Sequence, residues 1–167
     1  MDFIPSSKFK KAYFAAGCFW GVEYFFEKLD GVISAVSGYM GGWVKDPTYE
    51  DVCTKQSGHY EVVEVAYDES KISYEDLVKF FFEIHDFSQE DGQGPDIGPQ
   101  YRSAIFYNDE KEKEIANKVI DLLKQKDYNV ATKLLKKDKF YKAEEYHQDY
   151  YKKRGQKPYC HFHRRIF

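Results

Sequence analysis

Apolar and polar positions along this chain fall into blocks whose period changes, and the changes mark out its elements. Residues 11–17 (KAYFAAG) are a short apolar run ended by Gly17, which suits a buried strand. In 19–29 the apolar residues Phe19, Val22, Phe25, Phe26 and Leu29 recur at helical spacing, and Asp30-Gly31 stops the pattern. A β-branched run, 32–39, closes on the flexible GYMGGW, and 59–68 (HYEVVEVAYD) is a strong strand. A helix follows over 73–86, with Ser73 as N-cap and Asp76 three residues on, close to a capping box. Further on, 100–109 reads as a strand, 110–126 as an amphipathic helix, ATKLL (131–135) as a final strand, 142–154 as a helix and the last dozen residues as a tail.

This order predicts an α+β two-layer sandwich, with helices packed on a mixed, largely antiparallel sheet. Its 167 residues suit one ordinary domain over 1–167 with a real hydrophobic core, and a C-terminal tail from about 155 to 167. Residues 87–100 (FSQEDGQGPDIGPQ) form a polar, glycine- and proline-rich loop of a length that is often functional.

Composition narrows the partners. With a net charge of −3, the chain lacks the electrostatic footprint of a nucleic-acid binder, and the basic run 133–142 reads as solvated surface. Aromatics reach 19%, enough for an aromatic-rich core, an aromatic-lined pocket or both. The N-terminus has no signal-peptide core and no run reaches membrane-span length, so the expected home is the cytoplasm, where thiols stay reduced. Three cysteines, Cys18, Cys53 and Cys160, argue against a disulfide framework and for a reactive thiol.

Cys18 is the sharpest candidate. It follows a predicted strand and opens a predicted helix, where unpaired N–H groups and the helix dipole favour thiolate. Gly17 and Gly21 flank the Cys18-Phe19-Trp20 triplet, as though another molecule must approach the backbone closely. The bland alternative is a buried cysteine acting as a small hydrophobe. Phe19 and Trp20 are either helix core or an apolar slot beside a nucleophile. Strand alternation puts Glu61 on one face with His59, Val63 and Val65, so its carboxyl is either a proton donor raised by burial or an exposed group near a strand end. Pattern alone does not single out Tyr49 or Tyr101, and Asp96 suits a site or a turn equally. Cys160 sits beside His161, with His163, Arg164 and Arg165 nearby. That suits a second, resolving thiol better than a metal site, for which no CxxC or HxxxH partner exists. Cys53 is most simply a packing residue.

GCFWG, GYMGG, PTYEDVC, GHYEVVEVAYD, HDFSQEDGQGPDIGPQYRSAIF and AEEYHQDYY occur in this order over roughly residues 10–160. Together they resemble the class A peptide methionine sulfoxide reductases. The resemblance implies an elaborated ferredoxin-like fold and reduction of the S epimer of methionine sulfoxide, free or in proteins. By position, Cys18 matches the nucleophile, Phe19 and Trp20 the residues that cup the S-methyl group, and Glu61 the acid on the sulfoxide oxygen. Tyr49 and Tyr101 match phenols on that oxygen, Asp96 a supporting polar residue, and Cys160 the resolving cysteine of some members. Thioredoxin or another dithiol is the implied reductant, no metal or organic cofactor is needed, and a monomer is expected. The chain departs from the family's usual HDPTQ at Phe87 and Ser88, carries Met40 where alanine is common, and has an unusual Glu90-Asp91-Gly92. Two rivals share the reactive thiol: a thiol peroxidase, which needs no methyl slot, and a non-catalytic redox sensor.

Overall fold

The computed structural model describes residues 9–156, 158 and 161–167. Its elements run β1 (Phe9–Ala16), α1 (Phe19–Glu27), β2 (Val32–Met40), α2 (Tyr49–Cys53), β3 (Tyr60–Asp68), α3 (Tyr74–Glu83), β4 (Gly92–Gln93), β5 (Asp96–Ile97), β6 (Ser103–Tyr107), α4 (Glu110–Gln125), β7 (Lys133–Lys136), β8 (Tyr141–Lys142) and α5 (Tyr150–Arg154), with 3-10 turns at Pro99–Tyr101 and Glu145–His147.

The main sheet has the order β7-β6-β1-β3-β2-β8. All neighbours are antiparallel except β6 and β7. The crossovers β1-α1-β2 and β3-α3-β6 leave the four central strands in the order β6-β1-β3-β2, which is the split βαβ arrangement of a ferredoxin-like domain. β7 and β8 extend it at the two edges, so the fold is α+β with a mixed, mostly antiparallel sheet.

Alternation divides the sheet as the sequence predicts. Ala12, Phe14 and Ala16 of β1 and Val63, Val65 and Tyr67 of β3 face α1, α3 and α4 and form the larger core. Phe14 stacks on Phe26 of α1 at 5.1 Å and on Phe81 of α3 at 5.3 Å, which ties both helices to the central strand. Each such ring stabilises by about 1.5–3 kcal/mol when withdrawn fully from water. On the far face Tyr13, Met40, Val62 and Phe106 form a smaller cluster. Ser73 caps α3, its hydroxyl accepting from Asp76 N at 3.1 Å. A reciprocal capping box forms instead at α2, between Thr48 and Asp51.

Four sequence expectations need correction. The helix expected over 142–154 is broken into β8, a 3-10 turn and α5, because Glu144 and Gln148 turn their side chains to other elements and Asp149 takes a left-handed φ of 53°. Within the long loop, Gly92–Gln93 and Asp96–Ile97 pair as a small hairpin. The strand expected from residue 100 begins at Ser103, after a 3-10 turn started by Pro99. Cys53 is not a packing residue; it ends α2 and is exposed. Of the expected tail, the described residues 161–167 are docked: His161 is buried, and Arg164 N donates to Glu83 O at 3.0 Å. Among the described residues no helix is long and apolar enough to cross a membrane.

Candidate active site

The turn between β1 and α1 sets the first part of the site. Gly17 has a φ of 92°, which lets the chain leave the sheet sharply, and Cys18 takes the N-cap position of α1 with no side-chain capping bond. The thiol therefore stands at the positive end of a nine-residue helix, 8% exposed. The glycines on either side have a different use from the one expected. A Cβ on Gly17 would lie 2.5 Å from Gln93 Cβ, and one on Gly21 would lie 2.3 Å from His161 Nδ1. The close approach is made by the chain's own side chains rather than by a foreign molecule.

Glu61 comes from β3 on the helix-facing side and is 1% exposed. Its Oε1 accepts from the backbone N–H of Phe19, the residue after Cys18, at 3.2 Å. Its Oε2 is buried and has no hydrogen-bond partner among the described residues. Burial pushes this carboxyl up to about 8; the Phe19 N–H pulls against that, and the charge of Asp96 adds to it. At neutral pH this favours the protonated acid, with Oε1 engaged by the Phe19 N–H.

Tyr49 opens α2 and Tyr101 ends the 3-10 turn before β6. Both phenols are pushed up, chiefly by burial and then by the Glu61 carboxyl, so they remain O–H donors. Tyr101 also interacts with Cys18, Asp96 and Cys53, and Tyr49 with Tyr101 and Cys53. The structure thereby gathers Cys18, Tyr49, Glu61, Asp96 and Tyr101 into one cluster, although they come from the N-cap of α1, from α2, β3 and β5, and from a 3-10 turn.

The two rings that follow Cys18 are Phe19 and Trp20. Phe19 is fully buried, 5.7 Å from the Tyr39 ring and 6.5 Å from the Tyr49 ring. Trp20 is half-buried, stacked flat on Tyr150 at 3.7 Å and 4°, and its Nε1 donates to His147 Nδ1 at 2.9 Å. Both rings also neighbour the Tyr49 ring, at 6.5 Å each, so apolar rings and O–H donors meet beside Cys18.

Cys160 lies outside the described residues. Its neighbour in sequence, His161, is buried against Gly17 and Gly21, with Nε2 bonded to Ala16 O at 2.6 Å. His163 turns instead to Glu83, at 3.0 Å. Cys53 sits by Tyr49; partial burial is the main cause that pushes its thiol up, the Tyr49 hydroxyl pulls against it and the Glu144 carboxylate adds to it, which disfavours thiolate there.

Sequence reasoning missed the bracing of this site by Glu144, His147 and Gln148. Glu144 accepts from Tyr49 N and from Tyr39 OH, each at 3.0 Å. Gln148 pairs with the backbone of Ser37, its Oε1 accepting and its Nε2 donating, both at 2.9 Å. The available signal is the polar motif AEEYHQDYY itself.

A family model described as peptide methionine sulfoxide reductase matches residues 10–167. The peptide methionine sulfoxide reductase MsrA of Natronomonas pharaonis is 48% identical over 150 residues, which cover 88% of this chain and 84% of that protein. The crystal structure of Mxr1 from Saccharomyces cerevisiae in reduced form superposes with a TM-score of 0.88 at 35% identity, covering 98% of this chain and 96% of that one. Mxr1 in complex with Trx2 superposes with a TM-score of 0.65 at 27% identity, covering 99% and 96%.

Proposed function

The chain belongs to the peptide methionine sulfoxide reductase family, and we propose that it reduces the S epimer of methionine sulfoxide, free or in proteins, with Cys18 as nucleophile and Glu61 as acid. The single observation that carries the assignment is Glu61: a fully buried carboxyl, pushed up to about 8 by that burial, joined to the residue after Cys18 by one oxygen and unpartnered at the other among the described residues. A sulfoxide oxygen is the group such a carboxyl would serve.

The substrate's methyl group lies against Phe19 and Trp20, and its oxygen meets Glu61 and the phenols of Tyr49 and Tyr101, with Asp96 behind them. The Cys18 thiolate attacks the sulfoxide sulfur while Glu61 passes its proton to the oxygen. The bond from oxygen to the methionine sulfur breaks. The oxygen passes as hydroxide to Cys18 Sγ as the bond that the attack formed between Sγ and the methionine sulfur breaks; the electron pair of that bond goes to methionine, which leaves reduced by two electrons, and Cys18 is left as a sulfenic acid. Cys160 then attacks the sulfenic sulfur, a disulfide forms and water leaves. A dithiol of the thioredoxin type supplies two electrons by exchange and restores both thiols; the Mxr1–Trx2 complex supports that partner. For Cys160 the support is resemblance, together with the docking of His161 beside Gly17 and Gly21. The whole chain acts as one catalytic domain whose C-terminal tail brings the second thiol. Methyl slot and donors on opposite sides of the sulfur admit one epimer. The biological outcome is repair of oxidised proteins, in a cytoplasm that keeps these thiols reduced.

Assay of each sulfoxide epimer with a dithiol tests this directly. Turnover of S and not R is expected, along with loss of activity in Cys18→Ser and a Cys18–Cys160 disulfide by mass spectrometry after one turnover. Equal turnover of the R epimer, or an active Cys18→Ser, would overturn it.

A further inference from the structure

We propose that His147 is the positioning residue of the methyl slot, a neutral imidazole whose Nδ1 fixes the Trp20 indole in its substrate-facing pose. This rests on the assignment of Trp20 as a wall of that slot.

An indole N–H only donates, so the 2.9 Å bond from Trp20 Nε1 requires an unprotonated Nδ1 and places the imidazole proton on Nε2. The ring is completely buried and packed among Phe19 (5.2 Å), Tyr49 (4.3 Å) and Tyr146 (4.0 Å). It therefore touches both rings of the slot and one of the oxygen-binding phenols. Tyr150 covers one face of Trp20 and His147 holds its edge, so stacking and hydrogen bond together fix where the other face points.

A purely structural ring would not look like this. His147 Nε2 is buried with no partner among the described residues, and an orphaned buried donor is unfavourable. Phenylalanine would fill the same aromatic cage without that defect. What histidine adds here is the acceptor for Trp20.

The two nitrogens make the test selective. Asparagine puts its amide oxygen near the Nδ1 position and can accept from Trp20; glutamine reaches toward the Nε2 position; phenylalanine offers no acceptor. His147→Phe and His147→Gln are expected to raise KM for the S sulfoxide about tenfold with kcat within about threefold, the mark of lost uniform binding. His147→Asn is expected to keep KM within about threefold of the parent. The unfolding midpoint of His147→Phe should not fall. The chain has two tryptophans, and Trp43 is 76% exposed, so a Trp43→Phe background isolates Trp20 emission. That emission should shift to longer wavelength in the Phe and Gln variants and not in Asn. Should His147→Phe fail to fold, the Asn and Gln pair alone decides. Unchanged KM and emission in Gln and Phe, or an Asn variant indistinguishable from them, would overturn the role of His147. A Trp20→Ala variant with unchanged KM would instead overturn the slot assignment itself.

Discussion

Replacing Glu61 with Gln should make the protein more stable while nearly stopping it. Glutamine keeps an oxygen for the Phe19 N–H but has no proton to give. The folded carboxyl is held at about 8 against an ordinary 4.5. Folding therefore retains a proton that the unfolded chain releases, and stability falls as pH climbs through 4.5 and stops falling above 8. At about 1.4 kcal/mol per unit, the interval from 4.5 to 7 amounts to about 3 kcal/mol, and the interval to 8 to about 5 kcal/mol. Glu61→Gln removes this penalty, so its advantage in urea unfolding should be small at pH 5 and should widen toward pH 8. Glu23 and Glu27 are also raised by burial, but both proteins carry them and they cancel in the difference. Losing the proton donor should slow turnover on the order of a hundredfold or more. The wild-type rate should fall as pH passes about 8, a limb the variant lacks. A stability gap of equal size at pH 5 and pH 8 would mean that Glu61 is ionised in the folded protein, and the acid role would go with it.

Cys160→Ser should release one methionine per enzyme in a quenched single turnover and then stall as the sulfenic acid, whereas Cys53→Ser should cycle normally with thioredoxin; a stall in Cys53→Ser instead would exchange their roles. Tyr49→Phe and Tyr101→Phe should each slow sulfoxide reduction about tenfold, the loss of one hydrogen bond to the reacting oxygen; rates equal to the parent would remove both from the site. Gly21→Ala would put a methyl 2.3 Å from His161 Nδ1. It should cut thioredoxin-linked turnover while leaving the methionine-forming step within about twofold, and an equal fall in both would show that His161 supports the first step too.

The hydrophobic period made the frame legible. β1, β2, β3, α1, α3 and α4 all sit where apolar spacing puts them, because each buries one face against a partner and so must repeat at 2 or 3.6. The segment from 142 to 154 was illegible for the opposite reason. Its decisive side chains are Glu144, His147 and Gln148, which are polar yet turned inward, and their partners Tyr49, Trp20 and Ser37 are about 95 or more residues away in sequence. A periodicity scan treats polar as solvent-facing, and here that equation fails. The glycines failed differently: their spacing was plain, but what fills the space they leave depends on Gln93 and His161. Tyr49 and Tyr101 were two of fifteen tyrosines, and only resemblance singled them out before the fold brought both to Glu61.

Two groups in this site have opposite electrostatic demands, and their connection through one peptide explains why no cation among the described residues acts on Glu61. Cys18 must carry negative charge to attack, and Glu61, bonded to the next residue's N–H, must not. A lysine or arginine near Glu61 would ionise it, taking away the proton and setting a carboxylate against the thiolate. The influences on Glu61 are burial, one N–H and the charge of Asp96, and two of the three hold its proton in place. Burial is the main cause, and the negative charge of Asp96 acts in the same direction. On that logic Asp96→Asn should lower the Glu61 titration point and move the alkaline limb of the pH–rate profile to lower pH. A limb that stays where it was would leave Asp96 without that role.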